Sequence, residues 1–145
     1  MLLLFLIAFF NLAWQSPLSA LDLPPLNATI NDLAGIMPEA SYQDLEKRMK
    51  RFKARSGHSV VVITLQSLEG EDPESFGEKA FHSLPLGEAD LKKTILLIVA
   101  RKEHAVNLQT GEELKELFPE PTGREKMQKH VDLYFSGMRP DLGIH

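Results

Sequence analysis

Two uninterrupted apolar runs, Val60–Leu65 (VVVITL) and Ile95–Ala100 (ILLIVA), stand out from an otherwise mixed chain. Both are too short for a membrane span and rich in β-branched residues, which predicts strands buried on both faces. The second run meets Arg101-Lys102-Glu103-His104 and then an alternating segment, Ala105-Val106-Asn107-Leu108, that stops at Thr110-Gly111. This predicts a strand that pairs back as a hairpin, with Val106 and Leu108 on one face. Thr94–Gly111 therefore reads as the middle of a sheet.

Around these runs the apolar spacing changes to that of helices. Pro38 and Glu39 open a helix that runs to about Arg55, and Gly57 ends it. Leu45, Met49 and Phe52 fall at i, i+4 and i+7 and predict one stripe facing the sheet. Ser41-x-x-Asp44 offers a capping box one turn later. Lys47, Arg48, Lys50, Arg51 and Lys53 lie mostly on other faces, as a solvated helix surface does. Pro73 is placed to be the first residue of a second helix, carrying Phe76, Ala80, Phe81 and Leu84 and ending at Pro85-Leu86-Gly87. Residues 21–29, with Pro24-Pro25, form an extended lead-in to a domain spanning residues 30–145. In Asn31–Gly35, Asp32 is placed to cap its own backbone while Gly35 takes a positive φ. Strand, helix, strand in this order predicts a right-handed crossover and a parallel pair. Glu112–Phe118 suggests one or two helical turns closed by Pro119 and Pro121. Arg124–Met138 suggests a final helix, with Met127, Val131, Tyr134, Phe135 and Met138 at helical spacing.

The first twenty residues differ from the rest. Met1–Ala13 holds no charged side chain, Trp14-Gln15-Ser16-Pro17 breaks the run, and Leu18-Ser19-Ala20 ends on a small residue. Residues 1–20 read as a secretory signal peptide. Export to the periplasm or the extracellular space is the expectation, with retention as an N-terminal anchor the alternative and no C-terminal membrane anchor. The formal net charge of −4 over 145 residues argues against a nucleic-acid footprint, which needs a basic face. The chain has no cysteine, which excludes disulfides, thiolate metal sites and a Cys nucleophile.

Chemical motifs are sparse. His58, His82, His104, His130 and His145 lie too far apart for a helical zinc pattern. There is no nucleophile elbow, P-loop, dinucleotide fingerprint or EF-hand loop. One arrangement remains: in an open α/β sheet, ligands bind beyond the carboxyl ends of the strands. The loops Glu69–Glu74 and Gln109–Glu113 are expected to meet there, with Asp32 approaching from the N-terminal side. Oxygen donors alone suit a hard cation, Ca²⁺ or Mg²⁺. The candidate ligands are Asp32, Glu69, Asp72, Glu112 and Glu113. The plain alternative is solubilising loop charge.

The order of these segments resembles the TPM domain family, which includes exported bacterial proteins and thylakoid-lumen proteins of photosystem II repair. The resemblance begins at Ile30-Asn31-Asp32-Leu33-Ala34-Gly35-Ile36-Met37. It continues through Val60–Leu65, Phe76–Phe81, Leu86-Gly87 and Thr94–Gly111, and reaches Phe135-Ser136-Gly137 and Gly143. It implies a three-layer α/β/α sandwich around a small, mostly parallel sheet. It also implies divalent-cation binding in some members and acid phosphatase activity in some plant members. The chain departs from the family pattern at two places. Lys92-Lys93-Thr94 stands where Asp-Asn-Gly is common, and Gly111-Glu112-Glu113-Leu114-Lys115 where Gly-x-Gly-Leu-Glu is common. An acid becomes Lys in each, which works against a bound cation unless Glu112 or Glu113 replaces the lost carboxylate.

Three functional expectations result. The first is a non-catalytic binding or accessory module for a membrane-associated protein complex. The second is a divalent-metal-dependent acid phosphatase using Asp32 with Glu69, Asp72 or Glu112. The third is a Ca²⁺/Mg²⁺-binding regulatory domain without catalysis.

Overall fold

The computed structural model describes residues 23–117 together with residues 125, 126 and 129. The expected signal peptide over residues 1–20 lies outside the described residues, as does the final helix expected over 124–138 apart from those three positions. In chain order the elements are β1 (Ile30–Asp32), α1 (Glu39–Ser56), β2 (Ser59–Leu65), α2 (Pro73–His82), α3 (Glu88–Leu91), β3 (Thr94–Ala100) and β4 (Ala105–Thr110). A single 3₁₀ turn, Glu112–Leu114, follows.

The four strands form one sheet in the order β1-β2-β3-β4. β1 runs parallel to β2, and β2 runs parallel to β3 with Val61 opposite Leu96 and Ile63 opposite Ile98. β4 returns antiparallel to β3, Leu108 opposite Leu97. The expected hairpin and parallel pair are both present. β1 is short and begins where the sequence suggested a lead-in would stop, so Asn31 and Asp32 are strand residues. With a helix against each face, the domain is the α/β/α sandwich anticipated above.

The core divides between the two faces. On one, Val61, Ile63 and Leu65 of β2 and Leu96, Ile98 and Ala100 of β3 pack against Phe76, Ala80 and Leu84. On the other, Ile30 and Val62 receive Met49 of α1, with Tyr42 and Leu45 beside it. β2 is the strand enclosed on both sides. β3 alternates instead: Ile95, Leu97 and Val99 are only half-buried, because α1 seats its buried Met49 over β1 and β2. Phe52, expected on the same stripe, is 43% exposed. The stripe that faces the sheet is Tyr42, Leu45 and Met49, and it runs out before the last two turns of the helix.

The chain steps from β1 to β2 to β3 in one direction, yet α1 covers one face and α2 the other. Two crossovers with the same step over opposite faces must have opposite hands. The right-handed preference therefore holds in only one of them.

Local chemistry accounts for the helix ends. Gly57, at φ 75°, closes α1 by donating its N–H to the Lys53 carbonyl. Pro38 precedes α1 without any side-chain cap, so the Ser41-x-x-Asp44 box is not used; Asp44 pairs with Arg48 at 2.7 Å instead. α2 starts as expected, with Pro73 in its first turn and the Asp72 carboxylate accepting from the Ser75 N–H at 2.9 Å.

α2 lies so close to β4 that Gly77 has no room for a side chain. A Cβ there would sit 2.1 Å from Asn107 Oδ1 and 2.9 Å from Gln109 Nε2. Asn107 is 4% exposed and holds a 2.9 Å hydrogen bond from Gln109, so it cannot swing aside freely. Gly77→Ala is expected to destabilise the domain by about 1–3 kcal/mol through overpacking. That outweighs the roughly 1 kcal/mol that alanine gains over glycine inside a helix. Urea unfolding of Gly77→Ala, Asn107→Ala and the double variant checks it; additive effects would show that the contact is not what limits the site.

Candidate functional site

The antiparallel return of β4 decides which loops share an end of the sheet. Asp32, Glu69 and Asp72 follow the carboxyl ends of β1 and β2. Glu112 and Glu113 follow β4, whose last residues pair with the first of β3 (Thr110 opposite Ile95). They therefore lie at the amino ends of the parallel strands. Glu74, at the start of α2, and Gln109–Glu112 line one groove, but Glu69 and Asp72 do not reach Glu112 and Glu113. A seven-residue strand separates them, a distance of roughly 20 Å. The expectation had placed both beyond the carboxyl ends, a placement that only a parallel β4 would allow.

At the carboxyl rim, Asp32 is tied to its own chain. Its Oδ2 accepts from the Met37 N–H at 2.9 Å and its Oδ1 from the Ile36 N–H at 3.2 Å. The Thr64 hydroxyl donates to the same Oδ1 and accepts from the Ala34 N–H at 3.2 Å. Gly35 takes φ 60°, which lets the chain curl around the carboxylate. Partial burial pushes the Asp32 carboxyl up. The hydrogen bonds from Thr64, Met37, Ile36 and Gly35 together overcome this and hold it below its ordinary value of 3.8.

The hairpin turn supplies a second anchored carboxylate. Glu103 Oε1 accepts from the Ser67 hydroxyl at 2.6 Å and the Leu68 N–H at 2.9 Å, tying the β3–β4 turn to the loop after β2. Burial again opposes its ionisation, and the Ser67 and Leu68 hydrogen bonds again win, lowering its pKa. Among the described residues, Glu69 at φ 53° and His104 at φ 50° are the non-glycine residues with left-handed backbone, and both border this clasp. Such conformations are costly and persist where surrounding contacts impose them. A shallow pocket of about 380 Å³ lies alongside, lined in part by Leu23, Leu33, Gln66 and Glu69. Sequence reading missed Thr64 and Glu103. Thr64 was visible as the one hydroxyl in an otherwise apolar run, and Glu103 as an acid in a tight turn.

At the amino rim, Gly111 lies against the chain before β3. A Cβ on it would fall 2.1 Å from the Leu91 carbonyl oxygen, so a larger residue there requires the backbone to move. The Glu113 N–H donates to the Lys92 carbonyl at 3.1 Å, and the Gly111 N–H to that of Thr94 at 2.8 Å. This seat puts the two divergent segments face to face. Lys92 Nζ lies 4.0 Å from Glu112 Oε2, and Lys93 Nζ 4.0 Å from Glu113 Oε2. Lys115, Lys92, Glu112 and His82 also border a groove of about 740 Å³ between α2 and the end of β4.

These donors do not fit one divalent ion. The five acids are divided between two ends of the sheet. Asp32 and Asp72 direct oxygens at backbone N–H groups, and Glu112 and Glu113 face ammonium groups. Among the described residues no three His, Cys, Asp or Glu side chains gather where they could share a metal.

Comparison with known proteins gives a family and a fold. The family model described as the TPM domain matches residues 30–145. The N-terminal domain of a P. gingivalis protein, solved by solution NMR, superposes with a TM-score of 0.66 at 20% identity, covering 74% of this chain and 69% of that one. The N-terminal domain of a Corynebacterium glutamicum protein, also an NMR structure, superposes with a TM-score of 0.57 at 16% identity, covering 77% and 74%. Comparison with curated proteins found no significant match.

Removing the Asp32 carboxylate strands the donors that surround it. Asp32→Ala is expected to cost about 1–3 kcal/mol at neutral pH. Because the folded-state pKa of Asp32 is lowered, its stabilisation is present above the unfolded value and is lost as pH falls through the folded one. Urea midpoints measured from neutral pH down to about pH 3 are expected to fall less steeply for Asp32→Ala than for the wild type. Glu103 has the same sign, so the slope flattens without vanishing. Parallel acid limbs would refute the role given to Asp32.

Proposed function

We propose, from the premise that this chain belongs to the TPM domain family, that it works as an exported, non-catalytic binding or accessory module for a membrane-associated protein complex. The observation that supports this most is the use made of the carboxylates. Asp32, Asp72 and Glu103 direct their oxygens at N–H and hydroxyl donors of their own chain, so they hold loops in place. Glu112 and Glu113, at the far end, sit opposite Lys92 and Lys93. A scaffold with firmly set loops around a rigid sheet suits recognition. Export rests on the uncharged apolar sequence of residues 1–13 and the Leu18-Ser19-Ala20 segment after it.

The phosphatase reading requires Asp32 and Glu112 to act on one metal-bound phosphoryl group, and they follow strands at opposite ends of the sheet. The regulatory Ca²⁺/Mg²⁺ reading requires Asp32 to exchange its backbone donors for an ion. Neither draws support from the geometry.

Two measurements test the proposal. A ligand that binds only the native state raises its melting temperature. Millimolar Ca²⁺ or Mg²⁺ is expected to leave that of the wild type unchanged, and calorimetric titration is expected to give no saturable heat for wild type or Asp32→Ala. A saturable, Asp32-dependent signal would favour a metal reading. Hydrolysis of a phosphomonoester by purified protein at mildly acidic pH would overturn the non-catalytic one. Affinity capture from native membranes, with a carboxyl-rim variant such as Glu103→Ala as control, is expected to recover a partner that the control loses.

A further inference from the structure

The basic run of α1, taken above as a solvated surface, has a more particular shape in the structure. Every residue from Lys50 to Gly57 is exposed, so the last two turns of the helix stand clear of the sheet on all sides. From Lys47 to Arg55 the helix carries six bases and no acid. Lys47, Arg51 and Arg55, spaced i, i+4, i+8, form one row along the solvent side. Arg48 and Phe52 form the row beside it, and Phe52 is one of the few large apolar side chains left exposed among the described residues. Arg48 is paired with Asp44, and Lys50 with Glu46. Lys47, Arg51, Lys53 and Arg55 have no carboxylate within salt-bridge distance among the described residues.

The topology brings more positive charge to the same end. α1 finishes at the amino rim, and the Ser59 N–H that begins β2 donates to the Lys93 carbonyl at 2.9 Å. Lys93, half-exposed, therefore neighbours the end of α1, while Lys92 borders the groove beside α2. Lys93, whose ammonium stands 4.0 Å from Glu113, adds a partly offset charge to this basic surface. The run from Lys47 to Arg55 contributes +6 to a net charge of −4, so the rest of the chain sums to −10. The macrodipole accounts for bases in the final turn of α1. It does not account for the row that begins at Lys47, or for an uncovered Phe52.

We propose that the protruding end of α1, continued by Lys93, is a docking surface for an anionic lipid bilayer. A convex helix end suits a flat surface better than a concave partner. Long Lys and Arg stems reach the phosphate layer while an aromatic ring enters the boundary beneath it. Among the described residues no helix is long and apolar enough to cross a membrane, so the contact is interfacial. The proposal does not depend on the accessory reading: loss of partner capture leaves lipid binding intact, and the reverse also holds.

Co-sedimentation of the full chain with phosphatidylglycerol-containing vesicles, against phosphatidylcholine alone, tests it. The zwitterionic vesicles measure whatever the apolar N-terminal segment contributes. Binding above that baseline is expected to fall steeply with added salt. Arg51→Glu/Arg55→Glu is expected to weaken it roughly twentyfold or more. Lys93→Asn is expected to weaken it by about threefold. These side chains are exposed, so thermal melts of the variants should match the wild type; if the reversals disturb folding, Arg51→Gln/Arg55→Gln serves instead. Equal binding to both vesicle types, or unchanged binding by the charge variants, overturns the proposal. So does charge-dependent binding to soluble heparin without any gain on anionic vesicles, which would point to an acidic macromolecule.

Discussion

The parallel pairing of β2 with β3 is the constraint from which the rest of the structure follows. Seven residues of each strand stay in register, from Ser59 opposite Thr94 to Leu65 opposite Ala100. Because the two strands point the same way, each must be reached by a crossover, and the crossovers supply the helices that bury its faces. Val61 and Ile63 on one side and Val62 on the other enclose β2 on both faces, with Val60 half-buried. The pairing also defines two chemically distinct rims. Loops that leave the parallel strands gather at one end, and loops that enter them gather at the other.

What could be read from the sequence follows this division. The strands were legible because apolar continuity and β-branching report burial directly, as VVVITL does. The turn chemistry of Asp32 and Gly35, the Pro73 helix start and the Gly57 stop were legible because each is a local preference of the backbone. The candidate site was not, because it depended on strand direction. The hairpin was foreseen, yet the loop after β4 was placed as if that strand ran parallel, and this joined Glu112 and Glu113 to acids at the other end. Phe52 failed for a related reason. Helical spacing says which residues share a face but not how far along the helix the sheet extends. The close approach of Gly77 to Asn107 could not be read at all, since it joins residues thirty positions apart in the sequence.

The two rims have been put to different uses. At the carboxyl rim, carboxylates bind the chain to itself: Asp32 gathers the turn after β1, Asp72 caps α2, and Glu103 ties the hairpin to the loop after β2. These bonds favour ionised acids, so the rim is set firmly at neutral pH. At the amino rim the charges are solvent-exposed and separated by 4.0 Å, and such pairs contribute little stability. Structural need therefore does not explain why this end carries so many bases.

That contrast bears on how the family's departures should be understood. Where the resembled pattern has Asp-Asn-Gly, this chain has Lys92-Lys93-Thr94, so one carboxylate and one amide give way to ammonium groups. In this fold the change has a second consequence, because the start of β2, bonded to the Lys93 carbonyl, brings that lysine to the end of α1. A carboxylate there would oppose the field of Arg51 and Arg55, whereas an ammonium adds to it. Two exchanges of a few atoms each thus add positive charge to an end that also carries Glu112 and Glu113, without altering the sheet that supports it. The core constrains volume and direction, and it leaves the sign of a rim free to change. Within one fold, that freedom lets the charge of a rim change while the sheet beneath it is kept.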